Sequence, residues 1–180
     1  MIIRILYFMQ NKLISPTANV SSLSKIGEGT IIDSFVIIDD YAQIGEECKI
    51  HQFVHIDQDV IIEDRVKIQN HVFVPHGVTL CKGVFVGPSV VFTNDKHPRS
   101  ITPDGRLKTN KDWTMSPTVV NEGASLGAGS VIVCGVTIGK WAMIGAGSVV
   151  CHDVPDYALV VGSPARIIGY VDESGHRKSE

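Results

Sequence analysis

The sequence lacks any apolar run long enough to cross a bilayer. Its most apolar terminal stretch, Met1 to Met9, is interrupted by Arg4 and Tyr7 and is followed at once by Gln10, Asn11 and Lys12. A spanning helix needs about 20 residues. The stretch also has no small-residue cleavage site, so it reads as a cap over the end of a core and not as a targeting segment. An excess of positive charge is missing too: 16 Lys and Arg stand against 19 Asp and Glu, a net charge of -3. That leaves no basic footprint for nucleic acid. Cysteine is sparse. Cys48, Cys81, Cys134 and Cys151 form no C-x-x-C pair and no secretory framework, which suits a reducing, cytoplasmic setting. The 180 residues suffice for one domain with a sizeable core.

What the sequence does have is a six-residue period. From Ile14, every sixth residue is apolar: Val20, Ile26, Ile32, Ile38, Ile44, Ile50, Ile56, Ile62, Ile68, Val74, Leu80, Val86 and Phe92. A second series lies four residues after each, running from Ala18 through Val36, Cys48 and Val66 to Val90, and its members are small or β-branched. A helix repeats every 3.6 residues and a plain strand every 2.0, so neither explains a period of six. A parallel β-helix with three flat faces does. Each hexad makes a short strand and a corner, and three hexads make an 18-residue coil. Coils stack at about 4.8 Å. Glycine recurs directly after the aliphatic (Gly27, Gly45, Gly87, Gly127, Gly139, Gly145), where it relieves backbone crowding at corners.

The phase breaks after Phe92 and resumes at Val120, Leu126, Ile132, Ile138, Ile144 and Val150. The reading is therefore a capping segment over 1–13, a parallel β-helix over 14–155 carrying one long loop over 93–119, and a C-terminal tail over 156–180. The loop is polar, with Pro98, Pro103, Pro117 and an Asp104-Gly105 turn. A long excursion from a compact repeat is usually functional. In the tail, Gly162 to Arg166 reads as a turn into a last strand over 167–171.

Residues 18 apart stack on one face, which makes two predictions. Leu126 and Ile144 are 18 apart, so the Gly-Ala-Gly corners that follow them align and put Ala128 and Ala146 on one edge with exposed backbone. Such an edge suits a long, thin ligand that bonds to backbone groups. Asn94 follows Phe92 by two residues, as His76 follows Val74 and Gln58 follows Ile56. Asn94 and His76 should then project from adjacent coils at the corner where the loop leaves. His51, His55 and His152 show no partner of this kind and read as solvated.

Leu126-Gly127-Ala128-Gly129-Ser130-Val131, Ile144-Gly145-Ala146-Gly147-Ser148-Val149, Asp153-Val154-Pro155 and Val161-Gly162-Ser163-Pro164-Ala165-Arg166 resemble the wording of the hexapeptide-repeat acyltransferases. Lys67-Ile68-Gln69-Asn70 and Gly83 to Ser100, including Phe92-Thr93-Asn94-Asp95-Lys96-His97-Pro98-Arg99, are similar to the nucleotide-sugar 3-N-acetyltransferases of surface polysaccharide and O-antigen synthesis. The form is closer to the branch acting on dTDP-3-amino-3,6-dideoxyhexoses than to the one acting on UDP-linked uronic acids. The resemblance covers roughly residues 26–171. It implies that the β-helix over 14–155 is left-handed, and a homotrimer with acetyl-CoA as co-substrate in the groove between neighbouring subunits, and no metal.

Amide formation from a thioester needs a neutral amine, a positioned carbonyl and help for the developing oxyanion. Asn94 is the expected positioner, and the resemblance agrees, because the asparagine of Phe-Thr-Asn belongs to that family's site. Asp95 could bind a sugar hydroxyl or orient the ammonium, or simply form a turn. His76 is a candidate base by position, since an imidazole titrates near pH 6.5 ordinarily; the resemblance places no histidine there. Asn70 and His71 are candidates for nucleotide contact, and His97 and Arg99 for the diphosphate. Gly127, Ala128, Gly145 and Ala146 would line the cofactor edge, with Arg166 meeting a CoA phosphate.

Other readings remain open. An O-acetyltransferase of a sugar or serine would depend on a histidine base. A γ-class carbonic anhydrase-like zinc enzyme would use His71 and His76, which have the five-residue spacing of two such ligands, but Phe35 occupies the third place. An inert scaffold would explain the repeat but not the polar loop.

Overall fold

The computed structural model describes residues 13–109 and 111–178. Within them the chain is all-β: mostly two- and three-residue strands separated mostly by four-residue turns, stacked in parallel, except for the last strand, into a left-handed β-helix of about eight coils. The expected cap over 1–13 lies outside the described residues except for Leu13, which belongs to the first strand, Leu13–Ile14.

Successive strands go to three different sheets. The first face begins with Leu13–Ile14, the second with Asn19–Val20 and the third with Lys25–Ile26. The 18-residue register holds throughout the regular part: Leu13 pairs with Ile31, Ile31 with Lys49 and Lys49 with Lys67. Across the excursion it jumps to 40, Phe85 pairing with Ser125, and then returns to 18 with Ser125 on Met143. The loop thus adds 22 residues without disturbing the stack.

The two apolar series form the core. Ile32, Ile38, Ile50, Ile56, Ile62, Ile68, Leu80, Leu126, Ile132 and Ile138 are fully buried, as are the smaller Val36, Ala42, Cys48, Val54 and Val66. Burying each large aliphatic contributes about 1.5–3 kcal/mol, and no coil can do so alone. The glycines after the aliphatic also have a steric cause. A Cβ on Gly27 would stand 2.4 Å from the Gly45 carbonyl carbon, and one on Gly127 2.5 Å from the Ala146 nitrogen. The backbone therefore passes where a side chain would sit.

The corner also needs a left-handed residue two places later. Gly129 (φ 64°) and Gly147 (φ 67°) supply it cheaply, but Phe35, Phe53, His71 and Trp141 adopt it at φ 55–62°. L-residues pay roughly 1–2 kcal/mol for this conformation. Stacking across coils partly offsets it: the Phe35 and Phe53 rings lie 5.3 Å apart and nearly parallel, and Phe53 and His71 5.0 Å apart.

Several boundaries differ from the sequence reading. The coil resumes with Thr118–Val120, two residues before Val120. Regular stacking continues past residue 155: Ile138 bridges Val154, and Ala158–Val161 lies parallel to Met143–Ile144. The spacing there shortens from 18 to 16, which hides the repeat from a six-residue count. The last strand is Arg166–Tyr170, one residue earlier than expected, and it turns back antiparallel on Ala158–Val161 to close the first face.

Candidate active site

The corner between the second and third faces carries the loop. Strand Val91–Phe92 ends on the second face, and the chain returns to the third with Thr118–Val120. Its root is closed by the Ser116 amide donating to the Asn94 carbonyl (3.2 Å), the Thr118 amide to the Gly77 carbonyl (3.0 Å) and the Cys134 amide to Thr93 Oγ1 (2.9 Å). Beyond it, Ile101 and Leu107 bridge around the Asp104-Gly105 turn. The Arg106 guanidinium grips Asp112 by both nitrogens (2.7 and 2.9 Å), and Thr109 donates its amide and hydroxyl to the same carboxylate. Arg106 first, then Thr109, holds Asp112 well below the usual carboxylate range. The excursion is a folded unit on a fixed base.

Asn94 and His76 meet as their spacing requires. Asn94 Nδ2 lies 3.5 Å from the His76 carbonyl. His76 is held from below: its amide donates to Asp57 Oδ2 (3.0 Å), and Nδ1 lies 3.0 Å from the Gln58 carbonyl, with Asp59 at 3.8 Å. A carbonyl only accepts, so the ring carries its proton on Nδ1 and Nε2 keeps a lone pair in the neutral form. This is the protonation pattern a general base requires. Asp95 takes the turn-forming part, Oδ1 accepting from the His97 amide at 2.7 Å.

The Gly-Ala-Gly corners lie elsewhere, between the first and second faces. Gly147 donates to the Ala128 carbonyl and Gly129 to that of Pro88, both at 2.9 Å, so the two corners stack directly. Nothing approaches the outward side of Gly129 or Gly147, and among the described residues the amides of Ala128 and Ala146 have no acceptor. The turn 162–165 rests on this edge, with Ala165 donating to the Val149 carbonyl and the Gly162 amide bonded to Ser148 Oγ. Arg166 follows it, exposed, with a guanidinium nitrogen on the Ala165 carbonyl. Asn70 and His71 occupy the same corner on an earlier coil, His71 stacked on Phe53.

Not every expected residue joins these two places. Arg99 is exposed and bonds the neighbouring Pro98 carbonyl. His51 and His55 are not free in solvent as the sequence suggested: His51 Nδ1 is 3.0 Å from Asp33 and His55 Nε2 2.7 Å from Asp39. Burial pushes the Cys48 and Cys81 thiols up, so neither offers a ready thiolate. Among the described residues no three His, Cys, Asp or Glu side chains form a metal-holding group, and no helix is long and apolar enough to cross a membrane.

Comparison with known proteins finds a similar repeat. The family "Bacterial transferase hexapeptide (six repeats)" matches residues 41–76 and 117–152. The two matched blocks, 72 of the 180 residues, are similar to the repeats of that family. The two matched blocks flank the loop and include both His76 and the two Gly-Ala-Gly corners.

Over 54 residues the chain is 67% identical to dTDP-3-amino-3,6-dideoxy-alpha-D-galactopyranose 3-N-acetyltransferase of Aneurinibacillus thermoaerophilus, covering 30% of this chain and 28% of that protein. A solved structure of PerB from Caulobacter crescentus, in complex with CoA and GDP-perosamine, is 27% identical with a TM-score of 0.52. It covers 88% of this chain and 57% of that one. The acetyltransferase domain of PglB from Neisseria gonorrhoeae, in complex with acetyl coenzyme A, shares the fold at 22% identity and a TM-score of 0.58, over 88% and 57% of the two chains. The chain thus spans between about a quarter and three fifths of the length of these relatives.

Proposed function

We propose that the protein transfers the acetyl group of acetyl-CoA to the amine of a nucleotide-linked amino sugar, of the dTDP-3-amino-3,6-dideoxyhexose class, for surface polysaccharide synthesis. The observation that carries this reading is the pairing of His76 and Asn94 at the loop root, with the His76 lone pair freed at Nε2. The local identity to a dTDP-amino sugar 3-N-acetyltransferase supports the substrate class.

The amine attacks the thioester carbonyl carbon, forming the C–N bond. His76 Nε2 takes the proton the amine loses. Asn94 positions the amine or donates to the thioester oxygen as charge gathers there. When the tetrahedral intermediate collapses, the C–S bond breaks and the thiolate leaves, taking its proton from His76. Because a thiolate leaves easily, positioning carries much of the rate.

The pantetheine arm would lie along Ala128 and Ala146, whose amides are free to bind its carbonyls, with Arg166 near a CoA phosphate. That edge and the Asn94 corner flank the second face, which presents Ile37, Phe73 and Val91 outward, 38%, 44% and 48% exposed. The other two faces present Lys25, Lys49 and Lys67 among their outward residues. The second face suits packing against copies in a homotrimer, which would bring one copy's alanine edge to its neighbour's Asn94 corner. Four free thiols suit a cytoplasmic enzyme.

The test is thiol release from acetyl-CoA with a panel of dTDP- and UDP-linked 3-amino and 4-amino sugars, alongside sugar hydroxyl acceptors and serine. Turnover on a nucleotide amino sugar is expected. Turnover confined to a hydroxyl acceptor would replace the reading with O-acetylation, and no turnover on any acceptor would defeat it.

A further inference from the structure

Directly beyond Asn94 the loop borders an open cavity of about 310 Å³, lined by Asp95, Lys96, His97, Lys108, Asp112 and Trp113 among others. Its charge is less balanced than that composition suggests. The Asp112 carboxylate is committed to Arg106 and Thr109. Asp95 is engaged through Oδ1 in its own turn with His97. Among the described residues neither Lys96 nor Lys108 forms an ion pair. Two unpaired ammonium groups therefore border one small cavity.

The cavity is also built on fixed backbone. The end of Lys96 lies over Gly135 on the following coil, so close that a Cβ there would be 2.8 Å from its Cε and Nζ. Met115, on the returning limb, lies over Gly77 on the preceding coil, its sulfur 2.4 Å from where a Cβ would stand. Both glycines have positive φ, 78° and 92°. The loop thus seats its two roots on the corners above and below, and glycine at each leaves the room.

We infer that this cavity is the diphosphate subsite of the nucleotide-linked substrate, with Lys96 and Lys108 as its cationic ligands and the Trp113 indole as its wall. The inference rests on the proposed function and assigns part of that substrate to particular residues. A diphosphate carries two adjacent anionic centres, and two ammonium groups serve it as point charges. In a nucleoside diphosphate sugar the phosphate is joined to the anomeric carbon, so an amine elsewhere on the ring lies one ring's width away. Lys96 is two residues from Asn94, which fits that arrangement. Arg99, which the sequence offered for this role, does not line the cavity.

Calorimetric titration of the native chain with dTDP, dTMP and thymidine, and of K96M, K108M, K96R and K108R with dTDP, tests the assignment. dTDP should bind at least tenfold more tightly than dTMP, thymidine should bind weakest, and dTDP affinity should fall as salt rises. Each Met variant should weaken dTDP at least tenfold and raise KM for the nucleotide sugar to match, while each Arg variant restores most of the affinity. Unchanged thermal midpoints would place the loss in binding and not in folding. dTDP affinity unchanged in both Met variants, or no better than that of thymidine, would overturn the inference. The two claims separate cleanly. Turnover with unaltered KM in K96M and K108M sinks the subsite and leaves the enzyme. Lysine-dependent dTDP binding without turnover on any amino sugar sinks the enzyme and leaves the subsite.

Discussion

Replacing His76 by Gln should leave the coil intact and remove most of the turnover. The structural loss can be bounded from its contacts. The side chain is partly exposed and makes one close hydrogen bond, Nδ1 to the Gln58 carbonyl at 3.0 Å, while the bond to Asp57 belongs to the backbone amide and survives. One such bond contributes about 1 kcal/mol, which in a chain of this size moves the thermal midpoint by roughly 2–4 °C. The chemical loss is larger. A positioned general base contributes about 10²–10⁴ in rate, or about 2.7–5.4 kcal/mol of barrier. Saturating kcat from the thiol-release assay, with melting curves taken alongside, reads both quantities. A kcat within threefold of native would show that the proton leaves by another route and that the Nδ1 tether is only structural.

Three other outcomes follow from the same geometry. Asn94→Ala should lower kcat by about 10²–10³, the usual cost of losing one donor at a reacting oxygen, with circular dichroism unchanged; unaltered kinetics would remove Asn94 from the site. Gly127→Ala should destabilise the coil by about 1–3 kcal/mol in chemical denaturation, because its Cβ would sit 2.5 Å from the Ala146 nitrogen; a native midpoint would mean that the coils can spread there freely. Asp112, whose carboxyl is depressed by Arg106 and Thr109, contributes to loop stability at every pH above the ordinary Asp value of about 3.9. That contribution is lost only as pH falls through the lowered value. Trp113 fluorescence should therefore hold steady from neutrality to about pH 4 and change below it, and loss of the signal between pH 5 and 6 would contradict the clamp.

The sequence carried the scaffold well because its signal is redundant. Each coil restates the same three inward aliphatics, so Ile32, Ile50 and Ile68 could be stacked by counting alone, and Asn94 fell above His76 by the same count. Where the period failed, so did the reading. Shortening from 18 to 16 residues concealed the stacking of Val154 on Ile138 and of Val160 on Ile144. The left-handed corner residues went unnoticed because Phe35, Phe53 and His71 carry no glycine to mark them. His51 was legible in principle, since Asp33 stands one coil before it; His55 was less so, because its partner Asp39 is 16 residues away, a diagonal neighbour at the end of the same face. The loop has no period at all. Which of its cations face inward depends on the Arg106–Asp112 clamp and on Gly135, contacts that spacing does not encode. Spacing therefore offered His97 and Arg99 and did not single out Lys96 or Lys108, and of these four only Arg99 does not line the cavity.

The separation of the two candidate edges makes a final prediction about assembly. Ala128 is at the corner entering the second face. Thr93, at the loop root, is bonded to Cys134 at the corner leaving it. Six residues of extended chain separate Ala128 from Cys134, at most roughly 20 Å. A thioester laid along a copy's alanine edge therefore approaches its own Asn94 only by crossing the apolar face of Phe73 and Val91. If copies pack on that face, the neighbour's edge can stand opposite instead, and the apolar side chains are covered. The double variant Phe73→Glu, Val91→Lys should then sediment as a monomer and lose thiol release, although its far-ultraviolet spectrum stays native because both side chains point away from the core. A native chain that sediments as a monomer with full activity, or a charged variant that keeps both its oligomer and its rate, would show that one chain completes the site and that this face packs against nothing the reaction needs.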